Sequence, residues 1–280
     1  MRIETNRLML REMTEDDYDS LYSVLADSDI MQHYPYTFDE TRVRNWISKN
    51  IERYRIFGFG LWAVCLKETG EMIGDCGLTM QIIGGIIKPE IGYHIRKNKQ
   101  RKGYAKEAAV AVRDWTFTNT PFNIVFSYMK AANIPSAQTA ISWGCRKVDE
   151  FIDEENETTN VFAVTREEWR CLQVLGKAVT VTVDRPLGSY HPKHNDIYYP
   201  INYGYVKGIV AQDGEEQDTY ILGVDKPVEK YKGKVIAVIH RLNDAEDKWV
   251  VAEENSNYSK EEIIRQTYFQ EQYFEIEIYM

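Results

Sequence analysis

Gln100-Arg101-Lys102-Gly103-Tyr104-Ala105 is the stretch on which the fold of this 280-residue chain is read. A strand-like run over residues 89–96 precedes it, and Ala105, Ala108, Ala109 and Val112 follow at i, i+3, i+4 and i+7. That period predicts a helix over residues 105–117 whose narrow face of small residues packs close to a sheet. A loop between a strand and a helix start meets the unpaired amides of the first turn and the positive end of the helix dipole. Gly103 lets the backbone approach an anion closely, and Lys99, Arg101 and Lys102 bring cationic charge to an otherwise acidic chain. The loop suits a phosphate or pyrophosphate, although one glycine before a helix also occurs in plain turns.

Outward from this loop, strand and helix signals alternate. Leu8-Met9-Leu10 reads as a strand, and Thr14-Glu15-Asp16-Asp17 is a capping-box-like start for a helix reaching about Ala26. Residues 39–57 read as a second helix, and residues 61–67 and 71–80 flank Glu68-Thr69-Gly70 as a hairpin. On the other side, a strand over residues 123–129, a helix over residues 134–143 and strands near Lys147 and Val161 complete an α/β domain with a mixed sheet. Near residues 171–176 the pattern changes to short β-type runs separated by Gly, Pro and Asp turns. Two domains are expected, residues 1–172 and 173–280, in keeping with the ~100–150 residues usual for a domain.

A hydrophobic fraction of 44% with 28% charged residues describes a chain able to bury a core, which excludes disordered and fibrous classes. The 34 Lys+Arg against 43 Asp+Glu give a net charge of −9, so there is no basic footprint for nucleic acid or anionic lipid. Apolar runs such as Ile82-Ile83 and Ile86-Ile87 fall far short of the ~20 residues that cross a bilayer. The start, Met1-Arg2-Ile3-Glu4-Thr5, carries no apolar signal core, and a cytoplasmic protein is expected. Cys65, Cys76, Cys145 and Cys171 form no CxxC pair and read as reduced, buried thiols.

The Q-x-x-G-x-A pattern of residues 100–105 gains weight from two neighbours. They are the strand Glu90-Ile91-Gly92-Tyr93 before it, and Asn133-Ile134-Pro135-Ser136 with Gly144-Cys145 after it. Together these segments resemble the GNAT acetyltransferase superfamily over roughly residues 1–170. Glu4-Thr5-Asn6-Arg7-Leu8-Met9-Leu10-Arg11 and Thr165-Arg166-Glu167-Glu168-Trp169 look like its ribosomal-protein N-acetyltransferase branch. The resemblance implies an acetyl-CoA site, with the amides of Gln100, Arg101, Lys102, Gly103, Tyr104 and Ala105 on the CoA pyrophosphate. It places the pantetheine on the strand edge ending near Ile95 and Asn133 on the cofactor arm. It makes Ser136 the acid for the departing thiolate and Glu90 the base that deprotonates the amine, directly or through water. Amide formation from an ammonium calls for such a base, an oxyanion donor and an acid. From their own surroundings, Glu90 also suits a solvated strand-end charge and Ser136 a helix cap after Pro135. Tyr93 and Tyr104 read as packing residues, and His33 and His94 as structural histidines. His33-Tyr34-Pro35-Tyr36 suggests a wall of the substrate site.

Beyond residue 178, Tyr198-Tyr199-Pro200-Ile201-Asn202-Tyr203-Gly204-Tyr205 is followed by Asp213-Gly214-Glu215-Glu216-Gln217-Asp218 and by Asn243-Asp244-Ala245-Glu246-Asp247-Lys248. Carboxylates in short turns beside Tyr and Lys supply oxygen ligands for a hard divalent ion and donors for phosphate, although each turn alone is an ordinary solvated one. Together the segments resemble the soluble inorganic pyrophosphatases, a family built on an OB-like β-barrel. The resemblance implies Mg2+ on Asp213, Asp218 and Asp247, with Glu246 the alternative to Asp247. It also puts phosphate on Tyr203 and Lys248. Glu215 stands where the family has the Asp that activates water, Glu216 replaces its Pro, and Phe274 stands where a Lys is expected. Arg185 and Lys193 are candidates for the family's early cations.

The expected protein is thus a GNAT-type mixed sheet flanked by helices, followed by a small pyrophosphatase-like barrel. Its expected activity is acetyl transfer from acetyl-CoA to a primary amine, either a small amine or a peptide N-terminus. For the barrel, Mg2+-dependent hydrolysis of pyrophosphate stands beside a non-catalytic binding or homodimerisation role.

Overall fold

The computed structural model describes residues 2–194 and 196–280, in which contacts separate a first unit, residues 1–169, from a second, residues 170–280. The first unit contains β1 (Arg2–Glu4), β2 (Leu8–Arg11), α1 (Tyr18–Leu25), α2 (Glu40–Phe57), β3 (Leu61–Leu66) and β4 (Met72–Ile83). It continues with β5 (Ile86–Ile95), α3 (Tyr104–Asn119), β6 (Ile124–Lys130), α4 (Ile134–Ser142), β7 (Arg146–Ile152) and β8 (Thr158–Thr165). The strands form one sheet in the order β1-β2-β3-β4-β5-β6-β8-β7. Every neighbouring pair is antiparallel except β5 and β6.

Alternation along β3 shows why helices cover both faces of this sheet. Trp62 and Val64 pack with Ala108, Ala109, Val112 and Phe117 of α3 and with Ala140 of α4, whereas Leu61, Ala63 and Cys65 pack with α1 and α2. Successive strand residues point to opposite sides, so a continuous apolar run needs two covers. Each fully buried aliphatic side chain contributes about 1.5–3 kcal/mol. The small-residue face expected of α3 is present, with Ala108, Ala109 and Val112 wholly buried. β5 begins at Ile86, earlier than the expected start at Pro89. Gly84 and Gly85 take φ of 58° and 79°, the left-handed values of a two-residue hairpin turn, and this lets the strand pair back at once.

One buried polar side chain fixes α2 to the sheet. Asn50 Oδ1 accepts from the Leu61 amide at 2.9 Å, and its Nδ2 donates to the Trp46 carbonyl at 2.8 Å. This anchor holds the face of α2 that carries Trp46 and Arg53.

α5 (Arg166–Val174) leads from the first unit into the second, which contains β9 (Ala178–Arg185), β10 (Asn202–Val210), β11 (Glu216–Ile221), β12 (Lys230–Arg241), β13 (Asp247–Ala252), α6 (Lys260–Glu271) and β14 (Ile276–Tyr279). The strand sequence β9-β10-β11-β13-β12 closes on itself, because the long β12 pairs with β9 through its first half and with β13 through its second. β11 and β13 are parallel, and β14 adds to the end of β12. The reading of this part as β-type runs missed α6. Its signal was Ser259, whose hydroxyl accepts from the Glu262 amide while the Glu262 carboxylate accepts from the Ser259 amide. All four cysteines are buried free thiols, as expected. Among the described residues no helix is long and apolar enough to cross a membrane.

Asn50→Ala leaves the buried Leu61 amide without an acceptor and is expected to lower the unfolding free energy of the first unit by about 1–3 kcal/mol. Urea unfolding followed by tryptophan fluorescence measures this, and an unchanged midpoint would show that α2 is held by apolar packing alone.

Candidate active site

The loop before α3 is built to present amides. Arg101 and Gly103 take left-handed φ of 61° and 80°, which turns successive N–H groups of a short loop toward one side. A non-glycine residue there costs about 1–2 kcal/mol, so Arg101 marks a conformation imposed by its surroundings. No backbone carbonyl among the described residues accepts from the amides of Arg101 through Lys106; the first return bond is Glu107 N–H to the Gly103 carbonyl at 3.0 Å. The Lys99 ammonium is engaged by Glu71 at 2.6 Å, while Arg101 and Lys102 form no ion pair among the described residues. The loop charge expected from three cations therefore rests on two.

Arg7 braces the loop from β2's approach. Its Nη1 donates to the Lys102 carbonyl at 2.9 Å, its Nε to Glu107 at 2.6 Å, and its guanidinium lies 4.5 Å from the Tyr104 ring centre. Tyr104 thus packs as expected, whereas nothing in the sequence singled out Arg7 as the brace. Gln100 Nε2 donates to the Ile95 carbonyl at 2.9 Å and ties the loop to the end of β5.

Register decides what lies around Glu90. Glu90, Gly92 and His94 share one face of β5, opposite Thr79, Gly77 and Asp75 of β4. Glu90 is buried and accepts from Thr79 Oγ1 at 3.1 Å, which leaves no place for a solvated strand-end charge. Burial pushes its carboxyl up to about 7, against the opposing pull of Thr79, His94 and Arg53. β5 and β6 share a single register pair, Glu90 opposite Phe126, beyond which no further pair joins these two parallel strands.

Tyr93 points to the other face of β5. Its hydroxyl donates to the Ser136 carbonyl at 3.0 Å and lies 3.3 Å from Ser136 Oγ. Burial holds that phenol protonated, well above its ordinary range. Asn133, not Ser136, caps α4, accepting from the Ser136 amide at 3.2 Å. Ser136 Oγ is therefore spared the capping role, and Tyr93 does more than pack.

A second polar group on the Glu90 face escaped the sequence reading. Asp75, fully buried, accepts from Trp46 Nε1 at 2.9 Å and is 2.8 Å from His94 Nδ1, while His94 Nε2 is 2.8 Å from the Tyr34 hydroxyl. Burial works to lower the His94 pKa, but the Asp75 charge and hydrogen bond prevail and raise it above its usual value. Tyr36 and Phe38 pack against Tyr34, which places the expected aromatic wall here. Asp75 and His94 meet only through hairpin register, which no local motif encodes.

In the second unit, Lys248 is buried, with Nζ 2.5 Å from Asp218 Oδ2 and paired with Glu246. The Tyr203 hydroxyl donates to Asp218 Oδ2 at 2.5 Å. The Glu215 amide and Glu246 hold the Asp213 carboxyl below its usual range, which sets Asp213 beside Glu246. Asp247 is not part of this group. Strand alternation sends it away from Lys248, to His240 Nδ1 at 2.6 Å and to Cys171 Sγ at 3.8 Å. Glu246, the alternative candidate, lies with Lys248 and Asp213 instead. Arg185 lies 5.2 Å from the Tyr203 ring centre, and its Nε and the Tyr199 hydroxyl are buried polar atoms without a hydrogen-bond partner among the described residues. Arg241, held by Glu271 at 2.7 and 2.9 Å, sits 3.6 Å from the Phe274 ring.

Residues 7–146 match the family model described as acetyltransferase (GNAT) domain. The chain is 32% identical over 140 residues to the uncharacterized protein YkkB of Bacillus subtilis, spanning 50% of this chain and 81% of that one. It is 28% identical over 179 residues to the uncharacterized N-acetyltransferase YnaD of the same organism, spanning 60% and 99%. A solved acetyltransferase from Agrobacterium tumefaciens superposes with a TM-score of 0.52 at 25% identity, over 59% of this chain and 94% of that one.

The raised Glu90 carboxyl gives a signed pH effect. Between the usual 4.5 and about 7 the folded chain keeps a proton that the unfolded chain has released, so folding bears a growing cost as pH rises through that window. Glu90→Gln cannot ionise and still accepts from Thr79. It is expected to melt above the parent at about pH 8, with the gap closing as pH falls toward 4.5. A gap independent of pH in paired thermal melts contradicts the assignment.

Proposed function

Because this chain belongs to the acetyltransferase (GNAT) family through residues 7–146, we propose that it transfers acetyl from acetyl-CoA to a primary amine, a small amine or a peptide N-terminus. The observation that carries the reading is the run of unaccepted amides from Arg101 to Lys106 at the start of α3, with the Arg101 and Lys102 charges beside it. Such a cradle fits a pyrophosphate. Bound there, acetyl-CoA supplies an activated thioester. The β5 edge toward Ile95 has open hydrogen-bonding positions beyond Glu90 for an extended amide arm, with Asn133 the candidate contact on that arm. Glu90, whose carboxyl is held near 7, faces the incoming ammonium, and a base on the same face of β5 takes its proton. The Ser136 hydroxyl, in reach of Tyr93, donates to the leaving sulfur.

The barrel supports a second reading for its own unit, a pyrophosphatase-like site for a phosphoanhydride with Mg2+. Its support is the buried Arg185 Nε and Tyr199 hydroxyl, without partners among the described residues and close to the Tyr203–Asp218–Lys248 group. Asp213, Asp218 and Glu246 offer the oxygen donors that Mg2+ takes. Tyr203, Lys248 and Arg185 would meet phosphate, and Arg241 supplies a cation where Phe274 brings none. Closure of five strands in the order first-second-third-fifth-fourth supports an OB-like barrel. Glu215, exposed at its turn, reaches further than the aspartate it replaces, so binding is better supported than hydrolysis.

Acetyl-CoA is expected to raise the melting temperature of the full chain saturably, and Gly103→Glu, which sets a carboxylate in the cradle, to abolish the rise; no rise in the parent sinks the reading. A panel of alkyl amines, polyamines and short peptides, followed by thiol release from acetyl-CoA, then names the acceptor. Separately, phosphate release from pyrophosphate with Mg2+ is expected to disappear in Asp218→Asn. If neither pyrophosphate nor Mg2+ shifts melting or yields phosphate, the barrel is a binding or dimerisation module, which light scattering of the full chain decides.

A further inference from the structure

Gly77 and Gly92 face each other across β4 and β5 on the side of the sheet that carries α1 and α2, between the pair Thr79–Glu90 and the pair Asp75–His94. Two glycines at one register position leave a floor without side chains. A Cβ on Gly92 would press on the Glu90 carboxylate oxygens, 3.0 and 3.2 Å away, and one on Gly77 would collide with the Gly60 carbonyl at 2.0 Å. The carboxylate of Glu90 thus leans over this floor from one end, and His94 stands at the other. We propose that this recess receives the acceptor's ammonium group, and that Tyr34, His94 and Asp75 form the chain that takes its proton. The proposal rests on the acetyl-transfer reading and deepens it.

The hydrogen bonds define a direction for the proton. Both Asp75 oxygens have partners: Trp46 Nε1 donates to Oδ2 at 2.9 Å and His94 Nδ1 meets Oδ1 at 2.8 Å. With Nδ1 donating, Nε2 of the neutral imidazole is an acceptor, and the Tyr34 hydroxyl 2.8 Å away is its donor. A lone pair on the Tyr34 oxygen remains for the ammonium. In the step, an N–H bond of the ammonium breaks as its proton passes to the Tyr34 oxygen. The Tyr34 O–H proton passes to His94 Nε2. The amine keeps the electron pair that attacks the thioester carbonyl, and the imidazolium left behind is paired with Asp75. No other reactant is needed.

The charges around the recess agree with a cationic guest. Asp75 faces His94 from β4 and Glu90 from β5; Arg53 of α2 and Tyr128 of β6 act on Glu90, and Tyr36 borders Tyr34. Two carboxyl groups against one guanidinium suit an ammonium, and the rings of Tyr34 and Trp46 pack against His94 with centroids 5.7 and 5.8 Å away. A carboxyl at about 7 is partly protonated at neutral pH, so Glu90 is not the sole base.

The test uses the full chain with acetyl-CoA and n-butylamine as the acceptor probe. In the parent, side-chain nitrogen spectra of histidine are expected to show the His94 signal, assigned with His94→Gln, moving on saturation with n-butylammonium. Tyr34→Phe and His94→Gln are expected to keep the acetyl-CoA melting shift but to lower kcat about 10²-fold or more and to remove the acidic limb of its pH profile. Asp75→Asn should displace that limb to lower pH, since His94 loses the charge that raises it. An unmoved His94 signal in the parent, or variants with the parent's pH profile, would overturn the proposal. Absence of the acetyl-CoA melting shift in the parent would instead fail the acetyl-transfer reading, whatever His94 does.

Discussion

The pairing register of β4 on β5 is the constraint from which the first unit's chemistry follows. It sets Thr79 against Glu90, Gly77 against Gly92 and Asp75 against His94, and so collects an acid, an open floor and a carboxylate–imidazole pair on one face. Because strand side chains alternate, a slip of one residue would turn the whole set toward α3 and bring Tyr93 to the α1 and α2 side. The two-residue turn at Gly84 and Gly85 fixes that register at its closed end, and the apolar residues on both faces fix it along its length.

Much of this architecture was legible in the sequence where the signal was local. The small-residue period of α3, the loop glycine and the Asn-x-x-Ser before α4 each declare themselves within a few residues. What stayed hidden was assembled across distance. Asp75 and His94 are partners through hairpin pairing, Tyr34 and Trp46 join them from a loop and a helix, and Arg7 reaches the α3 loop from the edge of the sheet. His94 read as structural because one histidine in a strand says nothing of what both nitrogens meet. In the second unit, Glu246 and Asp247 were equal candidates until strand direction separated them onto opposite faces. α6 was missed because its cap signal was outweighed by the surrounding β-type pattern.

The net charge of −9 takes on a different meaning once the side chains are placed. Asp75, Glu90, Asp218 and Glu246 are turned toward interior partners, and Glu71, Asp29 and Glu107 engage the cations nearest the α3 loop. What remains unpaired at that loop is positive, so local charge there opposes the charge of the chain. A phosphate arriving from solution meets repulsion from the whole and attraction from one short segment, which makes binding sensitive to ionic strength at long range and insensitive at contact.

Lys248 gives the barrel a counter-ion of its own. Its ammonium lies within the carboxylate group, covalently tethered and shielded from solvent. A pocket of carboxylates alone would repel itself apart without a metal, coupling folding to the supply of that metal. Here Lys248, on β13, offsets part of the charge that Asp218, on β11, and Glu246 bring together. Any divalent ion that enters must compete with a resident charge that never diffuses away, so occupancy would follow the free concentration of the ion instead of being locked in at folding.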